Sequence, residues 1–298
     1  MAAYKDFATY MGEKFPGIKV QKISVNAGFS CPNRDGSIGT GGCIYCDNTS
    51  FTPEYCFNSK DIRAQIENGK KFFSRKYPQM KYLAYFQSFS NTYNRSVEDL
   101  EAIYHQALGN EDVIGLIIGT RPDILPDTVV EMLSRLNKEK TVFVELGAES
   151  SHDSTLKLVN RGHKWDDVVN SAERLNKAGI SVGLHLIEGL PGETEEMMLQ
   201  TIRRAVVLPI ESLKLHHLQV IKDTPLARLI DEKKIDVKTF SVEEYIDLCI
   251  EIINLVPGNI AIERFLASSP PDKVIMPKWG LKNYEFVNLL NNRLKQSE

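Results

Sequence analysis

The chain has 298 residues, which allows one large domain or two small ones. Its 36 lysines and arginines against 39 aspartates and glutamates give a formal charge of −3, so only a local basic patch, not bulk charge, could attract nucleic acid. The composition, 42% hydrophobic and 25% charged, is typical of a packed domain. Because no leader-like segment and no apolar run of about 18 residues is present, we expect a cytoplasmic protein that does not enter membranes.

The hydrophobic pattern predicts alternating strands and helices along most of the chain. Strands are predicted at residues 18–25, 81–86, 113–118, 141–144, 181–187 and 213–218. Helices are predicted after Ser59, behind an N-cap at Ser96, from Pro126, from an N-cap at Asp166, and over 194–207. Six strand–helix alternations favour a parallel sheet with right-handed crossovers. The predicted fold is therefore α/β: an open, partial TIM-like (β/α)6 barrel.

The rhythm changes beyond Pro225. Helices near 242–254 and 283–296 flank a possible strand at 260–264. We therefore expect a barrel core over residues 15–225 and a C-terminal extension of helices and a strand, 226–298, packed on the same domain.

Five cysteines are distributed unevenly along the sequence. Cys31, Cys43 and Cys46 fall within sixteen residues, Cys56 follows, and Cys249 stands alone on a helical stretch. An odd count without an export signal argues against a disulfide framework, and the trio indicates metal binding or redox chemistry. Cys249 is expected to be a buried core residue.

The pair Cys43-Ile-Tyr-Cys46 has three interpretations. It could be half of a zinc site with Cys56 as fourth ligand, a redox dithiol, or part of an iron–sulfur site. A dithiol leaves Cys31 unexplained, whereas three thiolates fit a [4Fe–4S] cluster with one open iron. The loop follows the first predicted strand, at the end where parallel barrels carry their active sites.

Five motifs recur in order on successive strand ends. They are Cys31-Pro-Asn-Arg-Asp-Gly followed by Gly-Gly-Cys43-x-x-Cys46, Gly119-Thr-Arg-Pro-Asp123, Glu145-Leu-Gly-Ala-Glu-Ser150, Asn160-Arg-Gly-His163, and His185-Leu-Ile-Glu-Gly-Leu-Pro-Gly-Glu-Thr194. In these motifs the chain resembles the radical S-adenosylmethionine (radical SAM) enzymes over about residues 15–280. The resemblance is to the YhcC/YtqA-like group, related to the radical SAM domain of the elongator catalytic subunit.

The resemblance implies two cofactors and their ligands. Cys31, Cys43 and Cys46 would hold a [4Fe–4S] cluster, whose open iron binds S-adenosyl-L-methionine (SAM). The SAM-binding residues it implies are Ser90, Asn91 and Thr92 for the amino group, Arg161 for the carboxylate, Glu145 for the ribose or amine, and His185 and Gly189 near the adenine. Glu149 stands where the group usually has glutamine.

The resemblance also implies an activity. The reduced cluster would cleave SAM to methionine and a 5′-deoxyadenosyl radical that abstracts hydrogen from the substrate, which we expect to be a wobble-uridine side chain in tRNA. Lys214, His216 and Arg264 are the predicted substrate-contacting catalytic residues. The expected partners are tRNA and an electron donor such as flavodoxin or ferredoxin.

Two basic, aromatic surfaces could contact RNA. One comprises Lys70, Lys71, Arg75, Lys76, Tyr77 and Lys81, and the other Lys278, Trp279, Lys282 and Tyr284. Two alternatives stay open: a radical SAM enzyme acting on a small metabolite, and a non-catalytic, zinc-stabilised binding protein. If the chain is a radical SAM enzyme, Cys56 is expected to have no role in the site.

Overall fold

The computed structural model describes residues 3–48, 50, 52–57, 59–74 and 79–296. The strands in this part of the chain are β1 (Lys5–Asp6), β2 (Val20–Val25), β3 (Lys81–Phe86), β4 (Val113–Thr120), β5 (Thr141–Glu149), β6 (Ser181–Glu188), β7 (Ser212–His217), β8 (Val220–Ile221), β9 (Ala261–Arg264) and β10 (Val274–Met276). The α-helices are α1 (Phe7–Lys14), α2 (Ile62–Ser74), α3 (Val97–Leu108), α4 (Asp127–Glu139), α5 (Asp153–Leu158), α6 (Trp165–Lys177), α7 (Glu195–Ala205), α8 (Pro225–Asp231), α9 (Val242–Leu255) and α10 (Asn283–Gln296).

One curled parallel sheet forms an open half-barrel. Its strand order within the described residues is β1-β9-β7-β6-β5-β4-β3-β2, and every neighbouring pair is parallel. The expected partial barrel is thus confirmed, with β2 to β7 as its six predicted strands. Strand β9 coincides with the possible strand at 260–264, whereas β1 was not predicted because two residues carry no periodicity.

Helix starts follow local capping chemistry. The side chains of Ser96 and Thr194 accept hydrogen bonds from the third residue of α3 and α7, as N-caps do. The predicted cap at Asp166 is wrong: α6 begins at Trp165 because the Asp167 carboxylate accepts the backbone N–H of Lys164 at 2.7 Å. No helix in the described ranges has both the length and the apolar character needed to cross a bilayer.

The hydrophobic core around the sheet has two layers, and a separate apolar cluster connects α8 with the cysteine loop. The larger layer fills the space between the outer face of the sheet and helices α2, α3, α4, α6, α7, α9 and α10. The smaller one lies inside the barrel, where Tyr10 and Met11 of α1 pack against Leu83, Ile117 and Phe143. Helix α1 therefore closes the amino-terminal end of the barrel, and access to its interior comes from the carboxyl ends of the strands.

The chain beyond residue 225 completes the domain. Strand β9 pairs with β7, β10 pairs antiparallel with β8, and helices α9 and α10 pack on each other and on the core. The segment between β9 and α10 passes over the open end of the barrel, where Ala267 and Ser269 face the interior cavity.

Candidate active site

The loop after β2 is fixed from two sides. The Ile44 N–H donates to the carbonyl of Val159 at 3.1 Å, and the N–H of Leu226 donates to the Ile44 carbonyl at 2.8 Å. The Ile44 side chain packs in an apolar cluster with Leu218. Residues 43–46 are thus held between the segment that follows α5 and the start of α8.

A cavity of about 210 Å³ opens at the carboxyl ends of the strands. Its walls come from the cysteine loop, from the ends of β3 to β7 and from the segment after β9. The predicted site residues that line it are Cys31, Cys43, Cys46, Ser90, Glu145, Arg161, His185 and His216. Residues from every predicted group, cluster ligands, SAM contacts and substrate contacts, therefore meet at one place.

Nitrogen donors lie near two of the three cysteine sulfurs. The Cys43 Sγ lies 3.7 Å from both Asn33 Nδ2 and Arg161 Nη1, and the Cys46 Sγ lies 3.5 Å from Asn48 Nδ2. Such N–H···S contacts stabilise thiolates and tune the potential of a cluster that they bind.

Arg161 is held by several acceptors. Its Nη2 donates to the Gly147 carbonyl at 2.6 Å and lies 3.3 Å from Glu149 Oε1. Glu149 adopts a left-handed backbone conformation, φ 65°, and its buried Oε2 has no hydrogen-bond partner among the described residues. Burial raises the pKa of Glu149 against the opposing charge of Arg161. A Cβ on Gly147 would come within 2.5 Å of Arg161 Nη2, so any other residue there would displace the Arg161 guanidinium.

At the base of the cavity lies a set of largely buried polar side chains that we call the floor network: Lys22, Tyr85, Glu145, Lys214 and Glu263. Lys22 Nζ lies 2.8 Å from Glu145 and 2.6 Å from Glu263. Lys214 Nζ lies 2.5 Å from the Tyr85 hydroxyl and 3.2 Å from Glu145, and the Tyr85 hydroxyl donates to Glu145 at 2.6 Å. Two cations therefore balance two carboxylates inside the barrel.

Ionisation within the floor network follows this pairing. Burial opposes the charge of Glu145, but Lys214 and Lys22 outweigh it and hold the Glu145 pKa well below its usual value. Burial likewise opposes the charge of Lys22, whose pKa the two carboxylates nevertheless raise. The pKa of Lys214 is lowered, chiefly by burial.

The ends of β6 and β7 form what we call the β6–β7 wall: His185, His216 and Gln219. The two imidazole rings meet edge to face with centroids 4.3 Å apart. His185 Nε2, His216 Nε2 and Gln219 Oε1 are buried, and none of them has a hydrogen-bond partner in the part of the chain that the structure describes. The next residue, His217, also lines the cavity and stacks on Trp279 with centroids 4.3 Å apart.

Comparison with known proteins identifies the family. The Radical SAM superfamily matches residues 35–205, and the Radical_SAM C-terminal domain matches residues 210–296. The chain belongs to the radical SAM superfamily.

Similar proteins span most of the chain. Protein YtqA of Bacillus subtilis is 33% identical over 98% of this chain and 89% of its own length, and YhcC of Escherichia coli K12 is 34% identical over 88% and 83%. The tRNA uridine(34) acetyltransferase of Methanocaldococcus infernus is 25% identical over 61% of this chain and 33% of its own.

The fold is shared with solved structures. Elp3 from the archaeon Methanocaldococcus infernus superimposes with a TM-score of 0.69 at 18% identity, covering 94% of this chain. The chain spans 64% of the length of that protein.

Radical SAM enzymes bind a [4Fe–4S] cluster and SAM, and the residues present fit both. Three cysteines line one cavity with nitrogen donors on two of their sulfurs, and Arg161 stands beside Cys43. The unpartnered Glu149 Oε2 gives the same cavity a further polar atom for a ligand. The three cysteines would hold the cluster, and Arg161 would hold the SAM carboxylate.

Cys56 lies apart from the trio. It is buried and does not line the cavity, its thiol donates to the Ser24 carbonyl at 3.3 Å, and burial raises its pKa to about 12. Among the described residues no three His, Cys, Asp or Glu side chains are grouped to hold a single metal ion.

Five predicted site residues lie outside the cavity lining. Asn91 donates to the carbonyls of Phe86 and Gly119, and Thr92 pairs with Thr120. Gly189 packs under Phe240 with φ 89°. Lys214 belongs to the floor network, and Arg264 donates to Ser268 at 2.9 Å.

The sequence patterns missed several residues of this site. Lys22, Tyr85 and Glu263 complete the floor network, and Gln219 completes the β6–β7 wall. For Lys22, Tyr85 and Glu263 the missed signal is a charged or hydroxylated side chain within a buried parallel strand, since such strands are normally hydrophobic, and Gln219 lies between strands where no such signal exists.

The predicted basic surfaces are only partly available to a partner. Residues 75–77 lie outside the described residues, Lys70 and Lys81 pair with Asp112 at 2.7 Å each, and Lys71 is engaged too. On the second surface Trp279 is stacked between His217 and Phe286, whereas Tyr284 is 60% exposed.

Proposed function

We propose that this radical SAM enzyme modifies the side chain of the wobble uridine in tRNA. The observation that carries the catalytic part is the meeting of Cys31, Cys43 and Cys46 with Arg161 in one cavity. The tRNA part is supported by the sequence similarity to a tRNA uridine(34) acetyltransferase and by the fold shared with Elp3.

When bound, the cluster and SAM supply a carbon radical that can remove a hydrogen atom from an unactivated carbon. The chain's own residues supply position and shielding. Arg161 offers a guanidinium to the SAM carboxylate, a charge-assisted and directional contact. Leu218, Ile221 and the covering residue Ala267 line the cavity with apolar surface, which excludes water from the reacting atoms.

The proposal includes two partners. An electron carrier such as flavodoxin or ferredoxin would reduce the cluster, and the reaction would take place in the cytoplasm. The tRNA would approach over the segment that covers the cavity, where Lys278, Lys282 and Tyr284 are exposed. Its wobble nucleotide would leave the anticodon stack to enter the cavity.

Electron paramagnetic resonance of anaerobically reconstituted, dithionite-reduced protein tests the catalytic part. We expect a [4Fe–4S]⁺ signal that changes when SAM is added. No iron–sulfur signal, with zinc bound instead, would leave the zinc-stabilised binding protein as the better interpretation.

The substrate is tested by 5′-deoxyadenosine formation. Hypomodified tRNA from a strain lacking wobble-uridine modification should stimulate it more than fully modified tRNA. Stimulation by a low-molecular-weight cell extract, and not by tRNA, would replace the tRNA proposal with the small-metabolite alternative.

A further inference from the structure

The β6–β7 wall presents polar atoms that the protein itself leaves unused. His216 and Gln219 both line the cavity, and their buried atoms His216 Nε2 and Gln219 Oε1 meet no hydrogen-bonding atom within the described ranges. Buried polar groups in folded proteins are almost always paired, so two such atoms on residues that line one cavity indicate a ligand that pairs with them.

The histidines of this wall are neutral. Burial lowers the pKa of His216 well below its usual value, and the adjacent His185 and the charge of Arg264 add to this effect. Burial, followed by the charge of Lys214, does the same for His185. A neutral imidazole carries one donor and one acceptor nitrogen and offers no charge to a carboxylate or phosphate.

The cationic side chains that line the cavity do not belong to this wall, although Lys214 and Arg264 lie close enough to lower the pKa of its histidines. The cationic residues in its described lining are Arg34, Arg121 and Arg161, and none of them comes from β6 or β7. Arg34 and Arg161 contact the cysteine loop, and Arg121 is paired with Asp123 at 2.7 Å. An anionic group of a ligand would therefore bind on the cysteine side, and an uncharged group would bind at the β6–β7 wall.

The chemistry of the wall matches one edge of uracil. A carboxamide and a neutral imidazole together offer an acceptor and a donor, as the N3–H and carbonyl of an imide require. The resemblance to radical SAM enzymes implies that the adenine of SAM binds near His185, whose ring meets that of His216, so a base held at the wall would lie beside SAM.

We infer that His216 and Gln219 form the subsite that binds the imide edge of the uracil base of the substrate. This inference rests on the proposed function, which it narrows to a particular contact. His216 thus acts by hydrogen bonding to the base rather than by neutralising a substrate charge.

The test uses cluster-loaded protein with SAM and two anticodon stem-loop RNAs, which carry either uridine or N3-methyluridine at the wobble position. Methylation removes the N3–H and adds bulk at that edge. The native chain should bind the uridine RNA about tenfold more tightly, a preference that His216→Phe and Gln219→Leu should each lose. His105→Phe, an exposed histidine on α3, is the matched control and should keep the preference.

SAM affinity, measured by equilibrium dialysis, separates the two occupants of the cavity. If His216→Phe loses SAM affinity and keeps the preference for uridine, the wall belongs to SAM and the inference is overturned. Equal affinity of the native chain for both RNAs overturns it as well, and RNA binding would then still support the proposed function.

Free nucleosides distinguish failure of the subsite from failure of the tRNA proposal. Preference for uridine over N3-methyluridine, without binding of either RNA, would support the subsite and contradict the tRNA proposal. Binding of neither RNA and neither nucleoside would contradict both.

Discussion

The floor network and the β6–β7 wall are both polar and buried, and they differ in how their atoms are satisfied. In the floor network each carboxylate meets a lysine, and Tyr85 adds a hydrogen bond. In the wall, His216 and Gln219 present atoms that no described residue pairs with. The first arrangement is complete without a ligand, whereas the second becomes complete only with one.

This difference separates two roles for polar residues in one barrel. Satisfied charges hold strands β2, β3, β5, β7 and β9 in register around the interior, at the cost of desolvation. Unsatisfied groups remain available to a ligand, and binding is then strengthened by the pairing that the protein lacks. Changes in the floor should thus affect stability, and changes around the cavity should affect binding.

The largest effect is expected at the cysteine trio. Cys31→Ser should abolish iron binding and SAM cleavage, because three thiolates are needed to hold the cluster. Cys56→Ser is the matched control and should retain both, since Cys56 does not line the cavity. Iron content and 5′-deoxyadenosine formation are measured for both variants. Full activity of Cys31→Ser would refute the cluster assignment.

A large loss of stability is expected in the floor network. Lys214→Met leaves Glu145 and Glu263 with Lys22 as their remaining cationic partner in the network, and removing one member of a buried ion pair costs about 3–5 kcal/mol. Urea unfolding of the cluster-free protein measures this change. Lys234→Met, on the exposed pair with Glu232, should change stability by no more than about 1 kcal/mol. Equal effects of the two variants would show that the floor network does not stabilise the fold.

Glu188 differs from the carboxylates of the floor network because it is buried without a cationic partner among the described residues. It is 2% exposed, and burial, reinforced by Glu193, raises its pKa to about 8. The folded state binds this proton more tightly than the unfolded state. Protonated Glu188 therefore adds to the free energy of unfolding at low pH, and this contribution is lost as the pH rises towards 8.

Glu188→Gln should remove this pH dependence. The free energy of unfolding of the variant, relative to that of the native chain, should increase by at most about 1.4 kcal/mol per pH unit between pH 5 and about 8. Above that pH the difference should level off. Urea unfolding at several pH values measures it, with the exposed Glu131→Gln of α4 as control. A constant difference across this range would contradict the raised pKa.

The sequence was informative where spacing alone determines structure. The six strands and the cysteine loop follow from hydrophobic runs and from the separation of Cys31, Cys43 and Cys46 along the chain. The floor network could not be predicted in this way, because Lys22 and Glu263 are far apart in sequence. They meet only when β9 pairs with β7 beside the curled sheet. Helix α1 was missed for a similar reason, since its contacts with Ile117 and Phe143 depend on closure of the barrel.

The smallest effect is expected where the covering segment meets the cysteine loop. Lys273 Nζ lies 3.1 Å from Asp47 Oδ2, and the two side chains are 37% and 22% exposed. Because such a pair is partly screened by water, Lys273→Met should lower stability by less than about 1 kcal/mol. Hydrogen exchange should nevertheless accelerate over residues 265–276 relative to the strands of the barrel, since the segment loses a contact that ties it to the loop. Unchanged exchange would mean that other contacts of the segment, such as the β8–β10 pairing and the hydrogen bonds of Phe265 and Leu266 to Asn283, are enough to position it.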